Sequence, residues 1–177
     1  MRKLSEDKLL TDYHCGQRDF TEVNLREAEL FEAKLSGINL SRSNLESAYL
    51  PYANLTDAKL ERSKLRGVQL ANAKLLQVNL READLSRANL SRTNLRHANL
   101  RGADLSGANL YAADLGYADL SNANLQRANL QNANLENAKL HQTKLQGANL
   151  FRARGADFSE AETDAITVFP DGHHNVD

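Results

Sequence analysis

From Phe20 to Leu150 an apolar residue returns at every fifth position: Phe20, then Leu25, Leu30, Leu35 and onward, 27 consecutive sites without a slip. Two residues before most of these sites stands a small residue, as in Ala28, Ala33, Ala48, Ala53, Ala83, Ala88 and every fifth position from Ala98 to Ala138. The position directly before the leucine is usually Asn, Asp or Lys. Neither regular element accommodates this period. On an α-helix, five steps of about 100° advance the leucine by about 140°, so successive leucines circle the axis. On a flat strand, residues five apart alternate between faces, and half of the leucines would point to water. The pattern therefore predicts a chain that turns sharply once per pentapeptide, always toward the same side, with every leucine inward. Coils closed by such turns stack through backbone hydrogen bonds about 4.8 Å apart, which makes a solenoid.

The segments A-D-L-S-R, A-N-L-R-G-A-D-L-S-G-A-N-L and A-N-L-Q-N-A-N-L resemble the A(D/N)LXX signature of the pentapeptide repeat family, over roughly residues 18–158. The resemblance implies an all-β solenoid, a right-handed quadrilateral β-helix in which four pentapeptides, one per face, complete each coil. About seven coils would give a rod about 35 Å long. Four leucines per coil then fill the axis, and the small residues let the backbone pass close at the corners. A large residue at an alanine site is expected to overpack the tube by about 1–3 kcal/mol.

Both ends read as caps. Residues 1–17 hold a short helix, with Ser5 as N-cap, acids in its first turn, Leu9, Leu10 and Tyr13 at helical spacing and Gly16 as its stop. Residues 18–158 form the β-helix and residues 159–177 a C-terminal cap with a mobile tail, HHNVD. Leu150 is followed eight residues later by Phe158, which predicts an insertion and a bulge or loop between them. Ile166, Val168 and Phe169 are placed to close or dimerise the lower end. The family resemblance implies a monomer or a homodimer through a terminus.

Composition narrows the class. The apolar content is almost all Leu and Ala, with no Trp and one Met, and the formal charge is −1, neither polyanion nor polycation. Cys15 stands alone, which excludes an intramolecular disulfide framework and favours a reducing, cytoplasmic setting, with the thiol expected buried or half-buried in the cap helix. No stretch approaches the roughly 20 apolar residues of a membrane span, and the start does not look like a signal peptide.

The search for chemistry points away from an enzyme, a cofactor or a metal. His97 falls one coil above Tyr117, with no acid or nucleophile in the column. His173 and His174 lack further ligands at zinc-like spacing. Asp104, Asp114 and Asp119 are isolated on different faces or coils, where turn hydrogen bonds and side-chain ladders account for them better than calcium does.

The outward positions carry what remains. Residues 1–58 sum to −3, residues 59–101 to +7 and residues 102–177 to −5. A basic belt holds Arg81, Arg87, Arg92, Arg96 and Arg101, the first four on four different faces, a ring rather than a phosphate-tracking stripe. Arg26, Glu46 and Arg66 share a column, Glu61 lies under Arg81 and Arg62 under Glu82, so compensating ladders are expected. Aromatics gather on the column Phe31, Pro51, Ala71, Ser91, Tyr111, Gln131 and Phe151, with Tyr49 and Tyr52 beside it, an arrangement suited to a protein partner. The expected role is a non-catalytic scaffold or adaptor whose flat outer faces bind protein. Two alternatives stand beside it. Some pentapeptide repeat proteins resemble duplex DNA in shape and charge, bind DNA gyrase and confer fluoroquinolone resistance, which requires an extended acidic surface; nucleic acid could instead meet the basic belt.

Overall fold

Each pentapeptide forms a turn, and the turns form the corners. The computed structural model describes residues 1–174. At every corner from Leu25 to Leu150 the amide of the residue three on donates to the leucine carbonyl, as from Ala108 to Leu105 and from Ala113 to Leu110, both 3.0 Å. The second residue after the leucine lies in the left-handed region: Arg87 at φ 59°, Ala112 at 53°, Asn122 at 61°. Turns with φ > 0 at their third residue require this. Gly37, Gly67, Gly102, Gly107 and Gly147 all occupy that register, where the missing Cβ removes the steric penalty. The Asn or Asp before the leucine closes the corner from outside. Its Oδ1 accepts the amide two residues on, as Asn94 does from Arg96 (3.1 Å) and Asp104 from Ser106 (2.9 Å).

The corners stack in parallel. Bridges join residues 20 apart, from Asp19 with Asn39 to Asn134 with Arg154, in four ladders that begin at Asp19, Asn24, Glu29 and Lys34. Within a ladder Leu105 donates to Asn124 (2.7 Å), and Asn124 donates back to Ala103 (2.9 Å). The fifth-position leucines fill the axis: from Leu75 to Leu130 none of them is more than 1% exposed. The position two before the leucine is less strict than the sequence pattern suggests, since Ile38, Val68 and Val78 are fully buried there. Ser43, Ser63, Thr93 and Thr143 are buried at the same position, and each hydroxyl donates to a backbone carbonyl.

At the N-terminal end strand β1 (Arg2–Lys3) pairs in parallel with β2 (Val23–Asn24), adding a partial rung that no periodicity announces. Helix α1 (Glu6–His14) follows, with the Ser5 hydroxyl accepting from the Lys8 amide at 3.3 Å. Leu9 and Tyr13, one turn apart, are buried in the core cluster, and the Tyr13 hydroxyl donates to the Ser36 carbonyl (2.7 Å). Cys15 is exposed, contrary to the expectation of a buried thiol, because it is the C-cap residue beyond the buried Tyr13.

The lower end also differs from the expectation. Lys144 pairs with Glu162, an offset of 18, and Asn149 with Val168, an offset of 19. The break after Arg154 therefore removes two residues from the coil instead of inserting three. Gly155 allows the short cut: at φ 82°, a Cβ there would come within 2.7 Å of the Glu136 backbone. Phe158 and Phe169 meet edge-to-face with ring centroids 6.1 Å apart below the last leucines. Ile166 stays 63% exposed. Of the tail expected to be mobile, His173 and His174 belong to a tight turn, with the Phe169 amide bonded to the His173 carbonyl (2.8 Å) and Val168 bridged to His174. Asn175, Val176 and Asp177 lie outside the described residues.

Candidate functional site

With the axis filled by leucine, any site must be built from outward side chains at the corners and along the ladders. The aromatic residues do not form one continuous face. Phe31 stacks on Tyr49 (centroids 6.3 Å, planes 18° apart) and meets Tyr52 edge-on (5.9 Å). All three are exposed, and Pro51 is buried between them in the next rung. Tyr111 lies four rungs from Phe31 and three from Pro51, about 14 Å along the axis from the latter, half-buried and without a ring partner among the described residues. Phe151 is two rungs below Tyr111, held between the Arg152 guanidinium (5.0 Å from its ring centroid) and the tight turn at Gly172. The structure thus brings together Phe31, Tyr49 and Tyr52 and leaves Tyr111 and Phe151 apart.

The basic belt is likewise divided by its partners. Arg81 pairs with its neighbour Glu82 (2.8 Å) and not with Glu61, whose carboxylate accepts from the Asn79 amide instead. Glu82 also takes Arg62 (2.6 Å), and that hydrogen bond is the main cause holding the Glu82 carboxyl below its ordinary value. Arg101 reaches Asp119 (3.3 Å). Partial burial pushes the Asp119 carboxyl up, but hydrogen bonds from Ser121 and Arg101 outweigh it and leave it lowered. Arg96 lies 5.3 Å over the Tyr117 ring and 3.6 Å from Asp114, and His97 stacks on the same ring (5.1 Å, planes 17° apart). Arg87 and Arg92 make no ion pair among the described residues.

The third expected ladder closes only in part. Glu46 binds Arg26 (3.2 Å), which also turns to Glu27 (3.1 Å), and Arg66 makes no ion pair among the described residues.

Asp104, Asp114 and Asp119 each accept the amide two residues on. Asp104 and Asp114 also accept from Asn124 (3.1 Å) and Asn134 (2.9 Å) in the next coil. Their lone pairs serve corners and ladders. Among the described residues no three His, Cys, Asp or Glu side chains converge as a metal site would need, and no helix is long and apolar enough to cross a membrane.

A four-sided parallel β-solenoid with one turn per pentapeptide defines the class of protein. Eight copies of the pentapeptide repeat signature match residues 17–46, 28–67, 63–102, 88–127 and 118–159. The chain belongs to the pentapeptide repeat family, whose fold is the right-handed quadrilateral β-helix. It is similar to HetL, a pentapeptide repeat protein involved in heterocyst differentiation regulation from the cyanobacterium Nostoc sp. strain PCC 7120, at 30% identity over 97% of this chain and 100% of that one, TM-score 0.39. Rfr23 from the cyanobacterium Cyanothece 51142 is 28% identical over 89% of this chain and 95% of its own, TM-score 0.42. A trypsin-treated form of QnrB1, a plasmid-mediated fluoroquinolone resistance protein, is 17% identical over 82% and 81%, TM-score 0.38. The comparison with curated proteins gave no match. Membership of the family rests on the repeat match.

Proposed function

We propose that this chain is a non-catalytic, cytoplasmic scaffold or adaptor that binds another protein through its outer faces, with Phe31, Tyr49 and Tyr52 as its principal anchor. The observation that carries the reading is the contact among these three rings, each at least 40% exposed, on a rod whose interior is already filled. Clustered aromatics supply large contact area at low entropic cost and dominate many protein interfaces. Glu29 and Glu32 flank the rings, so a segment with basic residues around an apolar one suits the patch. A free, exposed Cys15 is at home in a reducing compartment. Residues 1–17 and 159–174 serve as end covers that keep rods from stacking on one another. The test is affinity purification with the three rings replaced by serine.

The DNA-mimic reading requires an extended acidic surface. The +7 balance over residues 59–101 and the Arg66, Arg87 and Arg92 side chains, without an ion pair among the described residues, weigh against it. A DNA gyrase supercoiling assay without inhibition is the expected result.

A further inference from the structure

One corner of the rod differs from the others. At its second turn position the sequence runs Gly67, Arg87, Gly107, Arg127, Gly147 down successive rungs, so each arginine has a glycine above and below. The stems lie down on those glycines: an added Cβ at Gly107 would stand 3.8 Å from Arg87 Cγ, and one at Gly147 would stand 3.4 Å from Arg127 Cγ. The result is a cleft of about 570 Å³ along the axis, with Gln126 and Gln146 on its wall and Ile166 and Asp164 at its lower end, where Asp164 Oδ1 is taken up by the Gly147 and Ile166 amides and the Thr167 hydroxyl. A second cleft of about 320 Å³ continues it upward past Arg66 and shares Arg87. Arg66, Arg87 and Arg127 are exposed and make no ion pair among the described residues, unlike Arg26 at the top of the same corner.

We infer that this corner binds an extended acidic peptide segment, with its carboxylates on Arg66, Arg87 and Arg127 and an apolar side chain against Ile166. Arg87 and Arg127 are two rungs apart, about 10 Å, and an extended chain presents alternate side chains about 7 Å apart, within reach of two long guanidinium arms. The Gln126 side-chain amide donates to Gln146 (3.1 Å), whose own side-chain amide donates to Glu162 (3.1 Å), so the row offers Gln126 Oε1 to a peptide N–H. The strip of positive charge is narrow. Asp84 and Asp104 stand in the adjoining ladder, fixed by Ser86 (3.0 Å) and Ser106 (2.9 Å), and would repel the broad phosphate front of a duplex. No aromatic ring lines either cleft to stack the bases of a single strand. The corner is separate from the aromatic cluster, so each site stands or falls by itself.

The test uses the full chain and a fluorescein-labelled peptide of alternating glutamate and serine ending in leucine, read by anisotropy at low salt. Two further probes are the glutamine-for-glutamate peptide and a short DNA duplex. Saturable binding of the acidic peptide is expected, weakened about tenfold or more by Arg87→Glu with Arg127→Glu and little changed by Arg92→Glu on the next corner. Ile166→Ser should weaken the leucine-ended peptide and spare a serine-ended one. Serine variants of the aromatic cluster should leave peptide binding intact. An acidic peptide that does not bind, that binds the Arg87/Arg127 double variant equally well in a form that melts like the parent, or that is outcompeted by duplex at the same arginines would overturn the assignment.

Discussion

The Ser43 hydroxyl donates to the Phe20 carbonyl at 3.0 Å, and Ser43 Oγ also accepts from the Val23 amide at 3.1 Å. In the other corners that amide and that carbonyl meet directly, as in Ala108 to Leu105; here the hydroxyl of the next coil is spliced between them. Both groups are buried, so Ser43→Ala leaves a donor and an acceptor unsatisfied. The expected loss is about 1–3 kcal/mol in urea denaturation. Ser63→Ala is the contrast. Its turn keeps the direct amide-to-carbonyl bond to Leu60 (3.2 Å), so a loss below about 1 kcal/mol is expected.

Adjacent alanines should respond to glycine with opposite signs. Ala112 sits at φ 53°, a conformation that opposes a Cβ by about 1–2 kcal/mol, whereas Ala113 is 1% exposed and outside the left-handed region. Ala112→Gly is expected to stabilise by about 0.5–1 kcal/mol after the greater freedom of the unfolded glycine is subtracted. Ala113→Gly should destabilise by about 1–2 kcal/mol through the lost methyl contact and the same unfolded-state freedom. Thermal melts of the two variants decide it.

The interior tolerates shape more readily than volume. Val68 is fully buried in the same column as Ala108, so Ala108→Val should change stability by less than about 1.5 kcal/mol. Ala108→Phe has no room to expand into, and a loss of about 3 kcal/mol or outright failure to fold is expected. Denaturation midpoints of the pair give the comparison.

Acid should loosen the lower end first. The Ser159 and His173 amides hold the Asp157 and Asp171 carboxyls below their ordinary values. Desolvation pushes Asp164 up, but the amides of Gly147 (2.9 Å) and Ile166 (3.2 Å) and the Thr167 hydroxyl (2.8 Å) outweigh it, and it too is lowered. A carboxyl lowered in the folded state stabilises the fold above the unfolded value, about 4, and that stabilisation is lost as pH falls through the folded value. Hydrogen exchange at the Gly147, Ile166 and His173 amides should therefore accelerate on acidification before that at Gly107, whose amide is bonded to Gln126 in the middle of the rod. Uniform loss of protection along the chain would contradict this.

The inside of the molecule was legible because one period dictates it. Every fifth-position Leu from Leu25 to Leu150 points inward as the spacing requires, while Leu76, off that register, is only half-buried at a corner; Ser5, Leu9 and Tyr13 mark the helix through a cap and a one-turn repeat. The rung at Arg2–Lys3 was not legible, since two residues carry no period. The shortened coil after Arg154 was misread because the eight residues from Leu150 to Phe158 count equally as one pentapeptide plus three or two pentapeptides less two; Phe158 takes the leucine position of its own turn, and the pairing shows the second. The left-handed corner position had a usable signal, five glycines in one register, but it is diluted by Arg, Asn and Gln at the same site. Columns of like and unlike charge fix which side chains are neighbours and not which rotamer each chooses, so Arg81 could be placed beside Glu61 and yet bind Glu82. The same reasoning located Phe31, Tyr49 and Tyr52 near one another, while the distance to Tyr111 and Phe151 follows from the rise per rung.

On the function proposed above, the filled interior only holds the rod together and recognition belongs to exposed corners. This is tested most directly by affinity purification from the native cell, comparing the parent protein with the Phe31→Ser, Tyr49→Ser, Tyr52→Ser variant after the two are shown to melt alike. The expected result is a protein recovered stoichiometrically with the parent and absent from the variant. Identical sets of recovered proteins from the two would contradict the account.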